Sequence, residues 1–328
     1  MQISTAPLPE RRKRGLRAVK AVLLLVALAY VARKTADAVA DVRGHALEFH
    51  VNAAWLLASG ALVLTGFVLL IWTWAYVLAA LSGKTLPFGI AARIWFVSNL
   101  GKYIPGKVWQ IAQMGIMSAE QGIDPVSATS AAILNGGVNV ACGLAVAVIA
   151  GAPIFDRMLE PSGYAWLSRT AAVAAVGGVF LSPVLLRRAL QFAHRWFGVV
   201  TPLVKPPTRA IIVSVISNLI AWFLYGAAFK CLILGTLRTA PGSLIDYTAA
   251  FAISYVIGYL AIFVPGGIGV REWALISVLV AAPLASAPQA TAISVASRLW
   301  LVVIEIVPAL LFLAYRRRPP DETVKATG

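Results

Sequence analysis

The chain has 328 residues, 60% of them hydrophobic and 12% charged, with a net charge of +15. A soluble domain carries about 25% charged residues, so the composition excludes an ordinary soluble protein. Apolar runs of the roughly 20 residues that cross a 30 Å hydrocarbon core recur along it, whereas the alternating ten-residue segments of a membrane β-barrel do not appear.

In chain order, a basic segment (1–16) precedes the first apolar run, 17–34. No small-residue cleavage site follows "LLLVALAYVARK", so this run reads as a retained helix rather than a signal peptide. The next loop holds Asp37, Asp41, Glu48, His45 and His50. A polyprenyl-phosphate-dependent glycosyltransferase uses acids of this kind, but their spacing is generic and fits a solvated loop. Further apolar helices are expected at 53–82, 127–152, 164–184, 208–235 and 289–315, and the tail is 316–328. Two other segments, 88–120 and 245–283, are apolar but broken by Pro-Gly, in "YIPGKVW" (103–109) and "FVPGGIGVRE" (263–272).

The basic clusters at 11–20, at Arg187, Arg188, Arg195, Lys205 and Arg209, and at 316–318 border apolar runs. That is the positive-inside pattern, with contacts to anionic lipid on the cytoplasmic face, and it displaces a nucleic-acid reading of the charge. Cytoplasmic N- and C-termini then put every basic cluster inside. The first broken segment enters and leaves from the cytoplasmic side, and the second from the opposite side.

The expectation is an all-α polytopic membrane protein with about six full spans and two re-entrant hairpins. It forms one membrane domain, 17–315, an inverted repeat with halves at about 53–152 and 208–315. Broken helices in inverted repeats mark transporter substrate sites. A rival topology has each broken segment crossing twice, since 245–264 is long enough to span.

Pro105, Gly106 and Pro265 read as hinges that open the second arm of each hairpin. The backbone N–H groups beyond them are free, and a helix N-terminus favours an anion. Gly266, Gly267 and Gly269 let a headgroup approach the backbone. Lys102 and Lys107 flank the first break, and Arg271 and Glu272 follow the second. Charges in a membrane segment persist when paired, hydrated or snorkelling. Snorkelling to the interface is the plain reading of the two lysines, and pairing with Glu272 or a nearby acid that of Arg271. Arg298 and Glu305, seven residues apart, share one helix face that points inward. Asn135, Asn139 and Asn218 read as interhelical hydrogen-bonding groups, Lys230 as snorkelling, and Cys142 and Cys231 as small buried hydrophobes. The chain has no HExxH, P-loop, nucleophile elbow or CxxC pair, and neither a metal nor a cofactor is expected.

"FVPGGIGVREWALISVLV" (263–280), with Arg298 downstream, resembles the lysylphosphatidylglycerol synthase transmembrane-region family, the flippase-type domain of multiple peptide resistance factors. The family's Pro-Gly-Gly-x-Gly-x-x-Glu is filled here, with Glu272 at the acid. Its first-half pattern, Pro-Gly-Arg-x-Gly-Glu-x-x-Arg, is met by Lys107, Trp109, Gln110 and Gln113 instead. The resemblance covers nearly the whole chain and implies a domain that moves or binds phospholipid or polyprenyl-linked lipid. The departures put an aminoacylated cargo in doubt, and the aminoacyltransferase domain of bifunctional members has no counterpart here.

The function expected is therefore a stand-alone flippase of the plasma (inner) membrane, transporter-like rather than enzymatic. Its cargo is an anionic phospholipid or a lipid-linked glycan, whose headgroup meets Lys102, Lys107, Gln110, Gln113, Gly266, Gly267, Gly269, Arg271, Glu272 and Arg298. With no ATP-binding motif, the energy comes from an ion gradient or the movement is downhill. The alternatives are a membrane glycosyltransferase that uses the loop acids, or a non-catalytic subunit of an envelope-assembly complex.

Overall fold

The computed structural model describes residues 51–103, 108–159, 166, 170, 206–261 and 267–314. Within them the chain is helical and has no strand. In order come α1 (Ala53–Ser82), α2 (Phe88–Asn99), a 3-10 turn (Leu100–Tyr103), α3 (Val108–Ala119), α4 (Pro125–Leu159), α5 (Thr208–Thr236), α6 (Leu244–Leu260), α7 (Val270–Ala281) and α8 (Ala287–Ala314). The expected helices 17–34 and 164–184, the acidic loop and the basic tail lie outside the described residues.

Four of these helices, α1, α4, α5 and α8, are long and apolar enough to cross a membrane. At 1.5 Å per residue the 30 residues of α1 reach about 45 Å, enough to span with some tilt. By the same measure α6, with 17 residues, is about 25 Å long and falls short of the hydrocarbon thickness. Helix α6 ends at Leu260, four residues before the end of the expected segment 245–264. Both broken segments consist of two short arms, and each break falls between them.

Local signals set the helix ends. The Asn52 side chain accepts hydrogen bonds from the N–H groups of Ala54 and Trp55 and so starts α1. Gly83, at φ 69°, ends it in the left-handed conformation. Helix α4 runs further at both ends than the expected 127–152. At its start, the Asp124 carboxylate accepts from the backbone N–H of Ser127 at 3.0 Å and from its hydroxyl at 3.1 Å. Pro125 occupies the first helical position, which needs no N–H. Pro153 is accommodated inside the helix, as membrane helices allow.

The Ser127 hydrogen bonds hold the Asp124 carboxyl below its ordinary range. A carboxyl so depressed contributes stability that is complete above its unfolded pKa and is lost as pH falls through its folded one. Asp124→Ala is expected to cost about 1 kcal/mol, typical of a lost N-cap. Unfolding in detergent should show that difference in full at neutral pH and progressively less of it as pH falls below the ordinary carboxyl range.

The order long, short, short, long occurs in α1–α4 and again in α5–α8. Packing follows the same exchange. Helix α1 lies against α5 along the most extensive interface, α4 packs on α6, and α8 packs on α2. Each set's last helix therefore covers the first arm of the other set's hairpin. Polar side chains tie these helices where no hydrophobic effect drives them together. Ser59 donates to the Ala228 carbonyl at 2.8 Å and accepts from the Trp300 indole at 3.0 Å, joining α1, α5 and α8. Asn139 donates to Asn218 at 2.7 Å, Ser214 to Asn135 at 3.3 Å, and Trp222 to the Asn139 carbonyl at 3.1 Å. The three asparagines thus make the expected bonds between α4 and α5. Lys230 donates to the Gly242 carbonyl at 3.1 Å and lies over the Tyr247 ring, so it secures the α5–α6 loop.

Candidate functional site

The two hairpin breaks meet the inner face of α8. Arg298 and Glu305 are both buried on that face, two turns apart as their spacing requires. Glu305 takes an ion pair from Lys102 in the 3-10 turn before the first break, with Nζ to Oε1 at 2.5 Å. Arg298 faces Glu272 in the first turn of α7, just beyond the second break, with Nη1 to Oε1 at 3.6 Å. One helix face thus clamps both breaks.

Two sequence readings change here. Lys102 does not snorkel: its side chain is 22% exposed, and its ammonium turns inward to Glu305. Arg271 does not pair with Glu272, whose carboxylate faces Arg298 and also accepts the Gly269 N–H at 2.5 Å. That second bond caps α7, so the helix starts at Val270 with Gly269 before it. A side chain one position further along a helix points about 100° away, so Arg271 and Glu272 face different neighbours.

Arg271 is 4% exposed. Its guanidinium sits over the Phe251 ring of α6, 5.5 Å from the centroid. Arg298, Glu272, Tyr255 and Glu305 are within its electrostatic reach. Yet its Nε and Nη2 are buried with no hydrogen-bond partner among the described residues. Buried polar groups are nearly always satisfied, and an orphaned charged donor carries more than the usual penalty of about 1–3 kcal/mol.

Close backbone approach places this guanidinium. A methyl group added at Gly258 on α6 would lie 2.6 Å from the Arg271 Cβ. One added at Gly267, at φ 67°, would lie 2.5 Å from the Gly258 carbonyl oxygen. Only glycines let the arms of the second hairpin meet this tightly. Gly267→Ala is expected to cost about 1–3 kcal/mol through left-handed strain and the clash, read as a lower unfolding temperature in detergent. Gly101 plays a similar part in the first hairpin, where an added methyl would lie 2.8 Å from the Gln110 nitrogen.

Gln110 donates to Asn99 at 3.2 Å across that hairpin, Gln113 is half-buried on α3, and Gly269 is exposed at φ 86°. Pro105, Gly106, Lys107, Pro265 and Gly266 lie outside the described residues. The structure therefore brings together Lys102, Arg271, Glu272 and Arg298 of the expected set. It adds Glu305, which the sequence marks only as a neighbour of Arg298, and the aromatic wall of Phe251 and Tyr255. The signal for Glu305 is an acid in the middle of an apolar helix. Nothing in the sequence points to Phe251, one aromatic among many.

The family model of the Lysylphosphatidylglycerol synthase TM region matches residues 17–309. No curated protein matches the sequence. Four long apolar helices, a buried charge cluster at two hairpin breaks, and a match over nearly the whole chain agree: the chain is a helical, multi-pass membrane protein that belongs to the lysylphosphatidylglycerol synthase transmembrane-region family.

Proposed function

We propose that the protein is a lipid translocator, whose cargo is an anionic phospholipid or a polyprenyl-linked lipid. The observation that carries this reading is Arg271: a buried guanidinium with orphaned donors, in a cluster built from both hairpin breaks. Ionisable groups inside a membrane segment are expensive and mark substrate or ion pathways. A merely structural cluster would satisfy all its members. Here the internal carboxylates are engaged by Lys102 and Arg298, and the guanidinium left over suits an anionic headgroup.

The proposed architecture is an inverted repeat, with α1–α4 and α5–α8 as its units and the two hairpins as re-entrant elements entering from opposite faces. The exchange of packing partners between the sets supports it, and the positive-inside rule favours the orientation that puts the basic clusters on one side. In this reading both termini are cytoplasmic and the protein resides in the plasma (inner) membrane. The headgroup passes between the hairpins while the tail stays in lipid, and anionic lipid contacts the basic clusters.

Reconstitution into vesicles tests this, with fluorescent phospholipids and lipid-linked sugars added to one leaflet. Protein-dependent appearance of at least one in the opposite leaflet is expected. Folded protein that moves none of them overturns the proposal.

A further inference from the structure

This inference rests on the translocator reading and names what drives it. Movement of a lipid against its gradient needs a coupled ion, and a buried acid inside a membrane helix is a place for one. Glu305 is such an acid. It is buried on α8, and its Oε1 takes the Lys102 ammonium at 2.5 Å. That contact ties the turn before the first break to α8. Among the described residues, the charged and titratable groups that reach Glu305 come from several elements. They are Lys102 on the 3-10 turn, Tyr225 on α5, Tyr255 on α6 and Arg271 on α7. Arg298 lies two turns away on the same face of α8.

Two features make a proton the ion. The first is the company of cations. A metal ion would enter against Lys102, Arg271 and Arg298, whereas a proton joins the carboxylate itself and removes its charge. The second is a row of hydroxyls. Tyr225 and Tyr255 are within electrostatic reach of Glu305, and Tyr225 is also within reach of Tyr255. Tyr225 lines a cavity of about 10 Å³ together with Ser59, Ser297 and Trp300, about the space that one water takes. A hydroxyl both donates and accepts, so hydroxyls and water can pass a proton along. At 1.5 Å per residue, Ser297 is about 12 Å from Glu305 along α8. In the proposed orientation α8 starts at the outer face. The cavity is then on the outer side of Glu305, and Lys102 belongs to the cytoplasmic hairpin.

We infer that a proton gradient drives the translocator and that Glu305 is the proton's binding site. A proton arriving by way of Tyr225 and Tyr255 forms an O–H bond on the Glu305 carboxylate. The neutral acid no longer holds the Lys102 ammonium by charge, and the first hairpin is released from α8. Return of the proton to water beside the part-exposed Lys102 side chain restores the carboxylate and the latch. No other covalent bond is made or broken, and one proton crosses per cycle.

The test is the distribution of lipid between the leaflets of vesicles that hold the full-length protein, relative to protein-free vesicles, with the membrane potential clamped at zero. The probes are fluorescent phosphatidylglycerol and a fluorescent polyprenyl-linked sugar. With one proton coupled to one lipid, a gradient of about one pH unit is expected to shift the distribution of at least one probe about tenfold, and a protonophore to abolish the shift. Glu305→Gln lacks the proton's site and Lys102→Met lacks the latch it opens. Any lipid that either variant moves should therefore distribute evenly. Lys102→Met decides the assignment if Glu305→Gln fails to fold.

Wild-type protein that moves a probe but distributes it evenly under the pH gradient overturns proton coupling and leaves the translocator reading standing. An equal shift driven by a sodium gradient overturns the proton in favour of a metal cation. A full shift retained in either variant overturns Glu305 and its latch as the coupling site. Folded wild-type protein that moves neither probe overturns both readings.

Discussion

Glu305→Ala is expected to lower stability by about 3 kcal/mol, and Lys102→Met by clearly less. Removing one partner of a buried ion pair costs roughly 3–5 kcal/mol because the other charge is left uncompensated. The Lys102 side chain is 22% exposed and can turn toward solvent, which puts the loss at the lower end. The asymmetry between the variants comes from the surroundings. Lys102 faces Arg298 and Arg271 as well as Glu305, so losing Glu305 leaves three cations against one carboxylate among the described residues of the cluster. Losing Lys102 leaves Glu305 still within reach of Arg271. The double variant Lys102→Met, Glu305→Leu is expected to recover most of the Glu305→Ala loss, since both charges go together. Thermal unfolding of the four proteins in one detergent measures this. Equal losses from the two single variants would show that the pair acts independently of Arg271.

That asymmetry cannot be read from the sequence, although most of its parts can. The helix boundaries of α1, α5 and α8 follow from hydropathy and simple caps, and the structure places them within two residues of expectation. The expected α4 is too short because the real helix extends on Asp124, Pro125 and a tolerated internal proline, local chemistry that hydropathy ignores. The breaks are legible because Pro-Gly in an apolar run is rare punctuation. Which charge meets which is not. Lys102 and Glu305 are 203 residues apart, and a single sequence carries no signal for a pairing across that distance. The choice of Arg298 over Arg271 as partner of Glu272 depends on helix phase and on Gly258 and Gly267 pulling α7 against α6. Gly267 reads in the sequence as room for a ligand, and the close approaches at these two glycines are to the protein's own backbone and to Arg271.

Arg271→Gln is expected to reduce lipid translocation by about two orders of magnitude or more, because the proposed translocator reading gives Arg271 charge-assisted hydrogen bonds to the cargo, each worth about 1.5–3 kcal/mol, that the variant loses. Arg271→Lys keeps the charge but not the fork, and should restore only part of the rate. Stability is expected to move differently. A charged group that served structure would destabilise the protein when removed, as Glu305 is expected to. Arg271 has donors without partners among the described residues, so neutralising it relieves buried, unsatisfied donors. The stacking on Phe251 that is lost is worth about 0.5–2 kcal/mol, which offsets part of that relief. The unfolding temperature of Arg271→Gln should therefore stay at or above that of the wild type while transport falls, the pattern of a site that holds strain for function. Measuring vesicle translocation and thermal unfolding on the same preparations separates the two roles. Parallel loss of both would make Arg271 a structural residue and remove the observation on which the translocator reading rests.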